Sequence, residues 1–134
     1  LSQDDRIARL EAASLEAATN GLKALLLLNG GASIAILAFL AQALGKDGVA
    51  SEYSLLVQEM VRSLALFAAG AGVAVLAMFF AYYSNQSYAA SLMAPEKVGW
   101  KRGALLNVGG GAIAAISLVL FWVGVYRIWV AADY

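Results

Sequence analysis

Three long stretches without a charged side chain constrain this chain more than any other feature. Lys23 and Lys46 bracket 22 uncharged residues, Arg62 and Glu96 bracket 33, and Arg102 and Arg127 bracket 24. A helix rises about 1.5 Å per residue and a bilayer core is about 30 Å thick, so about 20 residues cross it. The first and last stretches are therefore one span each. The middle stretch is longer than a span needs, and its second part, Ser84-Asn85-Gln86-Ser87-Tyr88, is polar. The second span falls at 61–83, and its helix continues into water until Pro95 stops it. Backbone groups in lipid must be paired within the segment, which selects helices, and the runs lack the alternation of membrane strands. The expected fold is an all-α membrane protein with three transmembrane helices. An N-terminal amphipathic helix (1–21) extends span one (22–45). Span two (61–83) has a cytoplasmic extension to 94, and span three covers 103–128.

Composition agrees with this division. The hydrophobic fraction is 62%, the charged fraction 13%, and the mean hydropathy +0.74. A soluble domain carries about 25% charged residues, so this chain cannot coat a water-soluble globule. Lys+Arg and Asp+Glu both number 9, so no net field draws a nucleic-acid backbone. Cys and His are both absent. That removes disulfides, the usual zinc and haem ligands, and the commonest general base.

Orientation follows the cations near the span ends. Arg6, Arg9, Lys23, Lys97, Lys101 and Arg102 fall on one side, against Lys46, Arg62 and Arg127 on the other. This predicts the N-terminus in the cytoplasm and the C-terminus in the periplasm. Trp122, Tyr126 and Trp129 at the outer end, and Tyr82, Tyr83 and Trp100 at the inner, sit at interface-belt positions. Span one reads as an uncleaved signal-anchor, because a polar, acid-containing segment precedes it. The first residue is Leu, so the chain is expected to begin downstream of a start methionine.

In residues 2–20, Ser2 is a candidate helix cap. Ile7, Leu10, Ser14, Ala17 and Gly21 form one narrow stripe. Such a stripe suits a short coiled-coil seam, a membrane-surface helix, or an extension of span one packed on its own bundle. In the last case Gly21 is a candidate hinge.

Small residues dominate the spans. On span two, Ser63, Gly70, Ala74, Ala77, Ala81 and Ser84 recur at steps of three and four, with Phe67 the one large member. Span one has Gly31 and Ala35. Span three has Gly110 with Ala114 and Gly111 with Ala115. Membrane helices pair by close backbone approach across such residues. The candidate interface set is Gly70, Ala74, Ala77, Ala81, Gly110 and Gly111. These faces serve packing within one chain, self-association, or docking to another membrane protein.

The candidate polar set inside the membrane is Asn29, Ser33 and Asn107. Asn29 follows Lys23 by six residues, and Asn107 follows Arg102 by five, which places both at similar depth. An amide in hydrocarbon needs a partner. The two asparagines are expected to bond each other, or a backbone bared by glycine; the alternative is a polar ring lining a pore or a lipid-headgroup pocket. Ser33 and Ser117 are expected to bond their own helix backbones. Gly109-Gly110-Gly111 lacks the lysine and the preceding strand of a phosphate loop; a local bend is expected there. Glu59 and Arg62 read as a solvated ion pair.

No Asp, Glu, Lys or Arg falls in the middle of any span, where proton relays and ion-coupled transporters carry them. No catalytic residue, metal site or cofactor is expected. The run at residues 28–40, Leu-Asn-Gly-Gly-Ala-Ser-Ile-Ala-Ile-Leu-Ala-Phe-Leu, resembles a group of uncharacterised small proteobacterial inner-membrane proteins. It follows an acidic-basic helix and precedes two more spans. The resemblance implies a bacterial inner membrane and no active residue. The expected function is a non-catalytic assembly or accessory subunit, or a homo-oligomeric scaffold, partnered by the lipid bilayer and by itself or another membrane protein. The alternative is a pore-forming oligomer, holin-like or a small channel, built on Asn29, Ser33, Asn107 and Ser117. No nucleic-acid partner is expected.

Overall fold

A computed structural model of the chain describes residues 3–45, 54–93 and 98–133. Three helices hold nearly all of them: α1 (Gln3–Leu44), α2 (Ser54–Met93) and α3 (Val98–Ala132). No strand occurs among the described residues. All three helices are long and apolar enough to cross a membrane. Their most apolar stretches are only 17%, 22% and 17% buried within the protein. A bundle in water would hide such stretches, so their exposed faces are surfaces for lipid.

The helices overrun the spans read from charge. α2 begins at Ser54 rather than 61, and α3 covers Val98–Ala132 rather than 103–128. α1 has 42 residues, about 63 Å of helix, roughly twice the hydrocarbon thickness. It runs unbroken through Gly21, so the extension of span one is present and the hinge is not. α3 likewise continues as helix through Gly109, Gly110 and Gly111. The Ser2 cap lies outside the described residues, as does the side chain of Ile7. Residues 8–20 are all exposed, including Leu10 and Leu15. The extension therefore does not fold back onto the bundle.

α2 and α3 form the principal interface, whereas α1 lies mainly on α2 and touches α3 little. The apolar core sits toward the C-terminal end of the bundle. Ile36 and Leu40 of α1 pack there with Phe67 of α2, whose ring centroid is 5.6 Å from that of Phe121. In lipid, burying these groups gains little transfer energy, and close packing supplies the cohesion instead. Glu59 closes this end. Its carboxylate accepts hydrogen bonds from Arg62, one turn away, and from Arg127 Nε of α3 at 2.8 Å. The pair expected from sequence is thus a bridge between helices. Both guanidinium groups are partly exposed, so the bridge is solvent-screened. Glu59→Gln will lower the melting temperature in detergent slightly, and the difference will vanish in high salt. Equal losses at low and high salt would mean that the carboxylate does not act through charge.

Candidate functional site

The α2–α3 interface is a seam with a seven-residue repeat on both helices. Antiparallel helices under-wound to 3.5 residues per turn keep one face in register in this way. Ser63 faces Gly124, Gly70 faces Ser117, Ala77 faces Gly110, and Ser84 faces Gly103. All eight residues are buried. Three pairs join a serine to a glycine, and in each the hydroxyl donates to the glycine carbonyl. Ser63 Oγ reaches Gly124 O at 3.0 Å, Ser117 Oγ reaches Gly70 O at 2.9 Å, and Ser84 Oγ reaches Gly103 O at 2.8 Å. Glycine lets the opposing hydroxyl approach the backbone, and the hydroxyl satisfies itself on a carbonyl rather than facing lipid. Each such bond contributes about 0.6–1.7 kcal/mol in a membrane protein.

Asn29 of α1 plugs into the centre of this seam and is fully buried. Its Nδ2 donates to Leu25 O at 3.0 Å, within its own helix, and to Ser117 Oγ at 3.2 Å. Ser117 in turn donates to Gly70 of α2. One amide and one hydroxyl thus join all three helices. The carbonyl of Leu25 is an acceptor only, which fixes the amide nitrogen on that side. The amide oxygen therefore faces Gly70. It is the one buried side-chain polar atom without a hydrogen bond among the described residues. A Cβ built on Gly70 would fall well inside van der Waals contact of it. The oxygen sits where only a Cα hydrogen fits, a weak C–H···O contact.

This arrangement corrects the expected pairing of Asn29 with Asn107. Asn29 lies level with Ser117, ten residues beyond Asn107, an axial offset of about 15 Å. Asn107 is exposed, and no hydrogen bond joins it to Asn29. The second expected partner, a backbone bared by glycine, is reached indirectly through Ser117. The two asparagines differ in depth because Lys23 and Arg102, which precede them, are not equivalent. Six residues back from Asn29 and Ser117, Lys23 comes level with Gly111, not with Arg102. A lysine with a long stem can tolerate that position by extending along the helix toward water.

The other candidates divide. Gly70, Ala74, Ala77 and Gly110 are buried in the seam, and Ala81 is half-buried. Gly111 is exposed, with open space where a Cβ would stand, so it takes no part in the packing within the chain. Ser33 bonds its own helix at Asn29 O, 2.9 Å, as expected. Ser117 does not, because its hydroxyl crosses to α2. Gly103 and Gly124 were missed, although the sevenfold spacing of Gly103, Gly110, Ser117 and Gly124 was there to be read.

Between α1 and α3, toward the N-terminal end of the bundle, lies an open groove of about 410 Å³. Leu22 and Leu25 form one wall, Ala77 and Ala81 the floor, and Asn107 and Gly111 part of the other wall. No group of three or more metal-ligating side chains occurs among the described residues. No family model, curated protein or solved structure matches the chain.

Proposed function

We propose that this chain is a non-catalytic membrane protein that assembles with itself or with another membrane protein. The α2–α3 hairpin is the rigid core, and the outward face of α1 is the contact surface. One observation carries the reading. Gly31, Ala35 and Ala38 fall on one face of α1 and are all exposed, turned away from the chain's own bundle, with exposed Leu27 and Leu28 bordering them one turn before Gly31. A Cβ at Gly31 meets nothing within 4 Å. A smooth face turned to lipid suits close approach of another helix. The α2 face cannot serve in the same way, because α3 and Asn29 already fill it. A bacterial inner membrane with the N-terminus inside fits the cation distribution.

The pore reading has less support. Asn29 and Ser117 would have to face a water path, yet both are fully buried within one chain.

Gly31→Leu together with Ala35→Leu tests the assembly reading. A Cβ at Gly31 meets nothing within the chain and Ala35 is exposed, so the fold should survive. Crosslinking in native membranes and native mass measurement in mild detergent should show the assembly reduced to single chains. An unchanged mass distribution would reject the reading.

A further inference from the structure

The groove between α1 and α3 has a polar group on an otherwise apolar wall. Asn107 is exposed there, and its side chain has no hydrogen-bond partner among the described residues. It lies five residues past Arg102, about 8 Å along the helix from the charged end. In a bilayer that is the depth of the lipid ester groups, at the edge of the hydrocarbon. An amide there is free to bond a group from outside the chain.

Size selects the kind of occupant. The groove offers about 410 Å³, room for one alkyl chain and within the range of small-molecule sites. Along α3 its lining runs from Asn107 to Leu118. It opens toward the N-terminal end of the bundle.

The mouth selects the headgroup. Glu11 lies seven residues before Ala18, which lines the groove, and so shares its helix face. Trp100 lies seven residues before Asn107 and shares its face on α3. The register of the two parallel helices brings Glu11 and Trp100 to one level. Both are exposed, and among the described residues no ion pair engages Glu11. A carboxylate opposite an indole ring attracts a cation by charge and by the ring quadrupole. Lys101 and Arg102 flank them as exposed cations for a phosphate.

We propose that the groove binds a glycerophospholipid with an amine headgroup. One acyl chain lies along Leu22, Leu25 and Gly111. Asn107 donates to an ester carbonyl, and the ammonium sits between Glu11 and Trp100. This binding is independent of the assembly face on α1, which points away from the groove.

The test is native mass spectrometry of the full chain, delipidated in detergent and titrated separately with phosphatidylethanolamine and phosphatidylglycerol of identical acyl chains. One phosphatidylethanolamine per chain should bind, in preference to phosphatidylglycerol. Gly111→Leu fills the groove and should abolish binding. Asn107→Leu keeps the groove open and should weaken binding roughly two- to tenfold, the effect of one hydrogen bond. Glu11→Gln should remove the headgroup preference while retaining lipid. Gly72→Leu, at an exposed glycine of α2 outside the groove lining, should bind as the parent does. Binding unaffected by both Gly111→Leu and Asn107→Leu would overturn the proposal. So would equal loss in Gly72→Leu, or a preference for phosphatidylglycerol. A change in the number of chains per particle on Gly111→Leu, with lipid binding intact, would assign the groove to a second copy instead. Should Gly111→Leu fail to fold, Asn107→Leu and Glu11→Gln still decide.

Discussion

Gly70→Ala will destabilise the three-helix bundle by about 2–4 kcal/mol, a large effect for one methyl group. The added carbon lands on the amide oxygen of Asn29. That amide cannot retreat, because Leu25 O and Ser117 hold its nitrogen. Either α1 moves off α2 or the amide rotates and loses both bonds. Overpacking of this kind costs about 1–3 kcal/mol. A lost interhelical bond adds about 0.6–1.7 kcal/mol. The same geometry predicts a rescue. Asn29→Ala alone is destabilising, because it removes the link to Ser117. In the Gly70→Ala background it also removes the clash. The double variant will therefore be more stable than the sum of the single losses. Unfolding free energies of the four proteins in one detergent give the coupling directly. Additive losses would show that Gly70 and Asn29 do not meet.

The sequence displayed the three helices clearly because the signal was carried by absence of charge over lengths set by the bilayer. Small residues on one face of α2 were equally visible, because glycine and alanine at helical spacing have few other uses in lipid. What packed against that face was not visible. Charge marks where a helix leaves water and says little about how two helices slide past each other. Lys23 and Arg102 both lie at span starts, yet α1 sits nine residues out of step with that equivalence. The true register marker was polar: Asn29 has a partner at Ser117, and displacing either helix would leave a buried amide without one. Serine and glycine at sevenfold spacing on both α2 and α3 encoded the antiparallel register. Recognising it required comparing two helices at once. The groove was beyond sequence reasoning altogether, since it arises from where α1 fails to meet α3.

Gly124→Ala will be the second severe substitution, and for a different reason. A Cβ there would lie 2.6 Å from the ring of Phe67. Phe67 is 1% exposed and packs between Ile36, Leu40 and Phe121. Its ring has no empty space to enter, so α3 must shift outward by a few tenths of an ångström. That shift also stretches the 3.0 Å bond from Ser63 to the carbonyl of Gly124. The expected loss is about 1–3 kcal/mol. Phe67→Leu should recover part of it by removing ring atoms from the contact, while leaving the serine bond intact. Phe67→Ala in the parent chain should cost less than the 3–5 kcal/mol typical of a core in water. The unfolded reference in a membrane already surrounds the ring with lipid, so the transfer contribution is small and only packing is lost. Thermal unfolding in detergent, followed by circular dichroism, compares the three variants. Gly124→Ala as stable as the parent would mean that α2 and α3 do not approach closely at this level. Such a result would leave the register of the seam to the Gly70–Ser117 junction, two turns along, and to the Ser84–Gly103 bond beyond it.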